Sequence, residues 1–181
     1  QTAETAIRAG ASGQLVLATV HSTTAAEAVD MMLQYESDHK FLSSSLIGVI
    51  NQRLVRRLCP ACRTPDDGED PIEVPDRIRG RLQGAEPTLY HPVGCDLCHS
   101  GGYDSLVNLP EIMLMDDRLG EVIARRASAA DLEAAAAEAG MLRLAEVAHG
   151  YVLRGTTSVE EINRVVNDSL LASMQRRGLH S

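Results

Sequence analysis

The sequence Cys59-Pro60-Ala61-Cys62 has a counterpart further along the chain in Cys95-Asp96-Leu97-Cys98, and the two pairs contain all the cysteines. A Cys-x-x-Cys turn lets two thiolates converge on one ion, and two such turns supply the four sulfur ligands of a structural zinc site. The intervening residues 63–94 exceed the usual zinc-ribbon spacing of about 15–20 residues, so we interpret them as an insertion. The pattern predicts that Cys59, Cys62, Cys95 and Cys98 bind one structural metal ion.

Other interpretations of these cysteines are a disulfide pair or redox dithiols, although a lone redox motif would leave the second pair unexplained. His91 and His99 flank the second pair and could replace a thiolate as ligand, but four cysteines already complete a tetrahedral shell. A closed shell of four sulfurs leaves no open position for a substrate. The function must therefore be sought elsewhere in the chain.

The composition limits the classes of protein to which the chain can belong. With 181 residues it forms one domain or two small ones, and one Phe without any Trp implies an aliphatic core. The net charge of −8 argues against free nucleic acid as a partner. No apolar run approaches the length of about 20 residues that spans a bilayer. The chain begins with Gln1, in a stretch that reads as the middle of a helix, so we expect a fragment of a longer protein.

The first third of the chain reads as an α/β pattern. Helix-forming residues 2–11 end at Ser12-Gly13, and the continuous apolar run of residues 15–20 predicts a strand buried on both faces. Thr23 or Thr24 then caps a helix from Ala25 to about Gln34. Helix, strand, loop and helix in this order are typical of an α/β sheet.

The next segment, residues 41–57, is predicted to be a helix. Its apolar residues recur every three to four positions, which gives one apolar face. Arg53, Arg56 and Arg57 would then lie at its C-terminal end, where cations favour the helix dipole. These arginines could bind phosphate or an acidic partner, or they could form an ordinary solvated helix end.

The second half is predicted to be mainly helical. Residues 63–92, rich in proline and acidic side chains, read as an irregular, exposed insertion, and a short strand is expected around residues 106–107. From Glu111 onward we expect helices. Their ranges are 119–126, 130–139 with Gly140 as a stop, 142–154, and a last helix that starts at a Ser158 capping box, continues through Val166 and extends at most to Met174.

His21 is the most informative single histidine. It follows the predicted strand directly, at the edge of an α/β sheet where ligands bind, and its imidazole could contact a phosphate or only hydrogen-bond within a loop. The chain contains no G-x-x-x-x-G-K-[S/T] phosphate loop, and its single lysine, Lys40, follows no glycine-rich loop. The chain alone is therefore expected to hydrolyse no nucleotide.

Several motifs resemble those of type II secretion and type IV pilus assembly ATPases. Residues 13–22, with the sequence G-Q-L-V-L-A-T-V-H-S, resemble the family's G-H-L-V-L-S-T-L-H-T box. Residues 44–62 resemble the S-L-x-G-V-x-x-Q-R-L-V-R-x-L-C-P-x-C segment that leads into the family's tetracysteine subdomain. Further matches are Gly94 before Cys95, Gly102-Tyr103, Glu111, Gly140-Met141 and residues 155–161.

The resemblance implies an α/β fold in three segments. Residues 1–57 would be the C-terminal part of a RecA-like ATPase domain, residues 58–108 a tetracysteine zinc-binding insertion, and residues 109–181 an α-helical bundle. The Walker A loop and the Walker B acid would precede residue 1.

The resemblance also implies a hexameric ATPase motor that powers pilus assembly or type II-like secretion. Such a motor uses ATP and Mg²⁺, acts in the cytoplasm at the periphery of the inner membrane, and works on a membrane platform protein. His21 would position or sense the γ-phosphate, and Arg53 and Arg56 would lie near the nucleotide or a subunit interface.

The chain also departs from the family pattern. Gln14 replaces the first histidine of the box, and Ser105-Leu106 replaces the Gly-Arg that normally follows Gly-Tyr. An amide at position 14 can hydrogen-bond but cannot carry charge. The alternative function is a non-catalytic zinc-binding interaction module, or a degenerate motor subunit. An intact phosphate loop upstream would distinguish the motor from these.

Overall fold

The computed structural model describes residues 2–35, 39–66, 74–82, 84 and 86–166. It combines helices and strands in two compact units, and each unit is built from two separate pieces of the chain. The first unit comprises Gln1–Asn51 and Glu111–Met141, and the second comprises Gln52–Pro110 and Leu142–Ser181. The three consecutive segments expected from the sequence stay a prediction.

The elements follow one another along the chain as helices α1 to α8 and strands β1 to β4. In order they are α1 (Thr2–Ala11), α2 (Ala25–Tyr35), α3 (His39–Ser45), β1 (Gly48–Leu58), β2 (Thr64–Pro65), α4 (Asp76–Arg79), β3 (Tyr90–His91), a 3-10 turn (Asp96–Cys98), β4 (Tyr103–Leu114), α5 (Asp117–Ala124), α6 (Ala129–Glu138), α7 (Leu144–Leu153) and α8 (Val159–Val165). No helix in the described part of the chain is both long and apolar enough to cross a membrane.

The two predicted N-terminal helices are confirmed. In α1, the Arg8 guanidinium contacts Glu4 one turn earlier at 3.0 Å, and Gly13 ends the segment with a φ of 91° that favours glycine. In α2, Thr24 is the cap, because its Oγ1 accepts the Glu27 N–H at 3.1 Å.

The strand predicted for residues 15–20 is wrong as a description of this structure. The segment is extended, but it belongs to neither of the sheets found among the described residues. The side chains of Leu15 and Leu17 are 75% and 90% exposed. An apolar run shows only that a segment suits a buried strand, whereas a strand also needs a neighbouring backbone with which to pair.

The helix predicted for residues 41–57 is also wrong over most of its length. After the short α3, the chain becomes strand β1, and Arg53, Arg56 and Arg57 lie on this strand rather than at a helix end. The apolar residues Ile50 and Leu54 suit a strand face as well as a helix face, because their spacing of four is a multiple of two. On the strand these two side chains are 65% and 59% exposed, whereas Leu42 and Leu58 of the same predicted face are buried.

Strands β1 and β4 form an antiparallel pair. Near one end Met115 N–H donates to the Ile47 carbonyl at 3.1 Å, and at the other end Cys59 N–H donates to the Gly102 carbonyl at 3.0 Å. The strand predicted around residues 106–107 is thus confirmed, and it is longer than expected. The helical structure predicted from Glu111 is wrong for the first few residues, because β4 continues to Leu114 and α5 begins at Asp117.

The first unit is packed around small and aliphatic side chains. Asp116 caps α5 by accepting the Leu119 N–H at 2.8 Å, and Ser128 caps α6, which confirms both predicted helices. Alanines let α2 and α6 approach closely. The buried cluster comprises Ala25, Ala26, Val29, Met113, Leu119, Val122, Ile123, Leu132, Ala135, Ala136 and Met141.

The second unit contains two smaller clusters. Side chains of β1, β4, α7 and α8 form one of them, centred on Val55, Leu109 and Ala148. The other comprises Val74, Ile78, Leu82 and Leu153, so the described part of the predicted exposed insertion is partly buried. That insertion also contains α4 and the antiparallel pair β2–β3. The remainder of the predicted last helix, beyond residue 166, lies outside the described residues.

Candidate functional site

The four cysteines converge on one point in the second unit. Their Sγ atoms all lie within 4.8 Å of one another, with separations of 4.0 Å for Cys59–Cys95 and 3.8 Å for both Cys62–Cys98 and Cys95–Cys98. Four sulfurs at the usual Zn–S distance of about 2.3 Å form a tetrahedron with edges of about 3.8 Å. A disulfide needs about 2.05 Å, so these free thiols are arranged as a ligand set for one metal ion.

The first pair forms a turn directly after β1. The Cys59 carbonyl accepts N–H groups from Cys62 at 3.3 Å and from Arg63 at 3.0 Å, which closes the turn. The bond from Cys59 N–H to Gly102 joins this turn to the residue that precedes β4. The strand pair therefore positions the first two sulfurs.

The second pair forms the 3-10 turn, and backbone N–H groups point at its sulfurs. Cys98 Sγ accepts from Cys95 N at 3.2 Å and from Gly102 N at 3.3 Å, while Cys62 Sγ accepts from Gly94 N at 3.3 Å. Such donors stabilise thiolates, which are the metal-binding form of cysteine.

Both glycine donors occupy positions that other residues could not fill. Gly94 has a φ of 114°, and a Cβ there would lie 2.6 Å from the Ser100 carbonyl oxygen. Gly102 has a φ of 74°, and a Cβ there would lie 2.5 Å from Pro92 Cβ. Sequence reasoning noted these glycines only as part of a resemblance. Their positions next to the second cysteine pair indicated this role: Gly94 lies one residue before Cys95, and Gly102 lies four residues after Cys98.

The protein environment shifts the pKa values of Cys98 and Cys62 in opposite directions. Hydrogen bonds, led by that from Cys95 N–H, lower the pKa of Cys98 to about 7 against the effect of burial. Burial raises the pKa of Cys62 to about 11. Of these two sulfurs, the hydrogen-bonded Cys98 is therefore the one better prepared to bind a cation at neutral pH.

The two histidines near the second pair are not part of the sulfur cluster. His91 lies between two carboxylates, with Nε2 3.5 Å from Asp66 and Nδ1 3.5 Å from Glu160. His99 adopts the left-handed conformation that ends the 3-10 turn. Among the described residues, the group that could hold a metal consists of the four cysteines alone.

A loop of residues 155–158, which we call the clasp, holds the base of the cysteine cluster. The Gly155 carbonyl accepts from the Arg63 guanidinium, and that guanidinium lies 4.4 Å from the centroid of the Tyr90 ring. Gly155 has a φ of 63°, and a Cβ there would overlap the ring of Tyr90. Gly155 therefore contacts both Arg63, which follows Cys62, and Tyr90 of β3, which precedes Cys95.

The remaining clasp residues hold the end of β1 and the start of β4. The Thr156 carbonyl accepts Leu58 N–H at 3.0 Å, and Thr157 Oγ1 donates to the Arg56 carbonyl at 2.8 Å. Ser158 Oγ lies 2.7 Å from the Tyr103 hydroxyl. Ser158 also caps α8 as predicted, because it accepts the Glu161 N–H at 3.2 Å.

Glu161 joins the clasp to β1 rather than completing the capping box. Its fully buried carboxylate accepts from Arg56 N and Nε at 2.9 and 2.8 Å, and from Arg164 at 2.6 Å. Burial disfavours the charged carboxylate, but hydrogen bonds from Arg164 and Arg56 outweigh it and lower the pKa of Glu161 to about 2. Sequence reasoning missed this role of Glu161, which no local pattern indicates.

The predicted arginines have different surroundings. Arg56 lies 4.1 Å over the Tyr103 ring in addition to its bond with Glu161, so its guanidinium already has a structural role. Arg57 pairs with Asp104 at 2.7 Å, and this hydrogen-bonded pair lowers the pKa of Asp104 to about 2. Arg53 donates to the Gln52 carbonyl at 3.1 Å. Their predicted contact with nucleotide stays a prediction.

His21 lies in the first unit, exposed, at the end of the extended segment of residues 14–20. The residues that follow it are firmly held. Asn51 Nδ2 donates to the Thr23 carbonyl at 2.8 Å, and Glu111 Oε1 accepts the Ala25 N–H at 2.6 Å. Sequence reasoning missed both anchors, since a buried polar residue on a strand is recognised only when its partner is known.

Fold and site define a mixed helical and stranded protein with a four-cysteine centre suited to a metal ion. Sequence comparison then gives its family: residues 1–164 match the family described as type II/IV secretion system protein. The chain belongs to that family, as the resemblance indicated.

Similar proteins include type II secretion components and pilus ATPases. The chain is 33% identical to the type II secretion system protein HxcR of Pseudomonas aeruginosa, over 93% of this chain and 32% of the relative. It is 34% identical to the type II secretion system ATPase E of Vibrio cholerae, over 93% and 33%. It is 34% identical to the type IV pilus assembly ATPase PilB of Myxococcus xanthus, over 90% and 29%. The chain spans about a third of the length of these relatives.

Proposed function

We propose that the chain is part of an ATP-driven motor that powers pilus assembly or type II-like protein secretion. The observation that carries this proposal is the family match over residues 1–164, together with relatives named as ATPases of both kinds of system. The absence of a phosphate loop from the sequence agrees with a division of labour, in which nucleotide binding belongs to another part of the whole protein.

Residues 1–57 would then contribute the end of a RecA-like domain, residues 58–108 the metal subdomain and residues 109–181 a helical subdomain. The exposed, extended segment of residues 14–20 suits this assignment, because its apolar side chains could be covered by other parts of the whole protein. His21 would meet the γ-phosphate at the end of that segment. Arg53 and Arg56 would lie near the nucleotide or a neighbouring subunit, with Arg53 the better candidate because Arg56 is bound to Glu161.

Zinc is the metal that best suits the cysteine centre. Four thiolates, tetrahedral spacing and N–H donors to the sulfurs match a structural zinc site. When bound, zinc supplies a crosslink between the two turns and no catalytic chemistry, because its shell is closed. ATP and Mg²⁺ would be the cofactors of the whole motor.

The motor would work as a homo-hexamer on a platform protein of the inner membrane, from the cytoplasmic side. The relatives' names, which refer to type II secretion and type IV pilus assembly, support a role in a system of this kind. The net charge of −8 agrees with a protein partner rather than nucleic acid.

A second candidate is a zinc-binding interaction module or a degenerate motor subunit without turnover. The observation that favours it is the replacement of the first histidine of the box by Gln14, which cannot carry charge. In this case the cysteine centre and the clasp would present a stable surface to a motor that another chain supplies.

ATP turnover by the whole protein distinguishes the two candidates. The motor proposal expects hydrolysis that disappears when the lysine of an upstream phosphate loop is replaced by alanine, and none from the 181-residue chain alone. His21→Ala should lower turnover by about 100-fold with little effect on nucleotide binding. A whole protein with no phosphate loop and no turnover would favour the interaction module.

A further inference from the structure

Two buried polar side chains on β1 and β4 contact the residues that follow His21. Asn51 is 6% exposed and binds the Thr23 carbonyl, while Glu111 is 2% exposed and binds the Ala25 N–H. Both contacts lie within the first unit and join residues far apart in sequence. They hold the backbone on both sides of Thr24.

These two side chains are costly choices for a core. A buried amide or carboxylate destabilises a protein unless its hydrogen bonds are satisfied. The neighbours of Glu111 on the buried face of β4, Leu109 and Met113, are both apolar and fully buried. A larger apolar side chain would suit position 111 better if packing alone were required.

Capping of α2 does not by itself account for the anchors. Thr24 already caps the helix through the Glu27 N–H, and the Glu27 carboxylate accepts the Thr23 N–H at 3.0 Å. A cap side chain binds the N–H of the second or third helical residue, so the Glu111 bond to the first N–H, that of Ala25, is an additional, buried one. Together the anchors fix the direction in which the chain enters α2.

We propose that Asn51 and Glu111 are positioning residues for His21. The inference rests on the proposed function, in which His21 meets a phosphate. His21 lies two residues before Thr23, on an exposed stretch, so the place of its imidazole depends on how the following backbone is fixed. Asn51 and Glu111 contact no substrate; they act only by holding the backbone of Thr23 and Ala25.

The expected kinetic result is a fall in kcat with an unchanged KM for ATP. A displacement of about 1 Å in a catalytic group lowers turnover by about 100-fold. We expect Glu111→Ala to lower kcat by about 10- to 100-fold, and Asn51→Ala by about 5- to 10-fold, since a neutral hydrogen bond is weaker than one to a carboxylate. Glu111→Gln keeps an acceptor oxygen and should recover most of the activity.

The experiment uses the whole protein and two readouts. Steady-state kinetics give kcat and KM for ATP, and hydrogen exchange of peptides covering residues 23–28 reports the anchoring of the loop directly. Glu121→Gln and Asn108→Ala are matched controls, because they change an exposed carboxylate on α5 and an exposed amide on β4. Both controls should leave turnover and exchange unchanged.

A double variant separates positioning from general stabilisation. If Asn51 acts through His21, then Asn51→Ala should lower kcat no further in a His21→Ala background. A full additional loss in that background would overturn the proposal. The proposal would also be overturned if the variants of Asn51 and Glu111 showed faster exchange at residues 23–28 but an unchanged kcat. The two side chains would then only stabilise the start of α2.

The outcomes remain distinguishable from a failure of the proposed function. Wild-type protein without ATP turnover would overturn the motor and with it the role of His21, whereas exchange at residues 23–28 would still show whether the anchors hold the loop. If Glu111→Ala does not fold, Asn51→Ala, alone and combined with His21→Ala, decides the question by the same criteria.

Discussion

The cysteine centre and the extended segment of residues 14–20 differ in how much of their environment this chain supplies. All four sulfurs and their N–H donors come from the described residues, and Cys98 is 7% exposed. In the extended segment Leu17 is 90% exposed and Leu15 is 75% exposed. The first region is complete within the chain, whereas the second has apolar side chains that nothing in the described part of the chain covers.

The difference shows which kinds of structure a chain can complete alone. A metal site needs four ligands and a few donors, which two short turns can provide. A buried strand needs backbone partners on its edges and side chains over both faces. Changes around the cysteine centre should therefore be costly in this chain, and changes in the extended segment should not.

The largest effect is expected from the loss of one sulfur. Cys95→Ser should reduce zinc content from about one per chain to nearly none, because serine supplies no thiolate. It should also destabilise the second unit by more than about 5 kcal/mol, since structural zinc contributes about 10–16 kcal/mol of apparent binding free energy. Elemental analysis and calorimetry measure both quantities.

His99→Ala is the matched control for this change, because His99 adjoins Cys98 but is not part of the sulfur cluster. It should retain zinc. Equal zinc content in Cys95→Ser and wild-type protein would show that the four sulfurs do not form one metal site.

The second effect concerns the clasp. Glu161→Ala removes a buried carboxylate that accepts hydrogen bonds from Arg56 and Arg164, and losing hydrogen bonds to a charged group costs about 1.5–3 kcal/mol. Glu160→Ala, at the neighbouring exposed position, should cost less than about 1 kcal/mol. Urea unfolding of the two variants measures the contrast, and equal losses would contradict a special role for Glu161.

The third test compares two glycines for which opposite signs are expected. Gly155→Ala should destabilise the chain by about 2 kcal/mol, because φ is 63° and the new methyl group would overlap Tyr90. Gly120→Ala lies within α5 with nothing near its Cβ position, and it should stabilise the chain by about 0.5–1 kcal/mol. Thermal unfolding gives both values. A neutral Gly155→Ala would mean that the clasp tolerates a shift of Tyr90.

The smallest effect is expected in the extended segment. Leu17→Asp should change the unfolding free energy of this chain by less than about 0.5 kcal/mol, because the side chain is 90% exposed. In the whole protein the same change should be strongly destabilising if the segment is a buried strand of a RecA-like sheet. Unfolding measured for both proteins separates the two cases, and a small effect in both would argue against the buried strand.

Local patterns predicted some parts of this structure well. The cysteine spacing predicted the cluster, and caps such as Thr24 and Ser158 marked the starts of α2 and α8. These signals are local, since a cap or a ligand turn acts within a few residues.

The failures share a different cause. The helix predicted for residues 41–57 is mostly strand β1. The spacing of Ile50 and Leu54 fits both the helical period of 3.6 and the strand period of 2, and pairing with β4 favours the strand. The anchors Asn51 and Glu111 and the ion pair of Glu161 likewise depend on contacts between distant residues. A sequence pattern read locally contains no information about such partners.

The position of the clasp has a consequence for how the protein is made. Both cysteine turns leave the ribosome before Gly155, the residue that fixes their base through Arg63 and Tyr90. At about 5–20 residues per second, the delay between Cys98 and Gly155 is on the order of 3 to 10 seconds. During translation the four thiols are therefore in place before the residue that supports their base, and the metal-ligand set is made before its support.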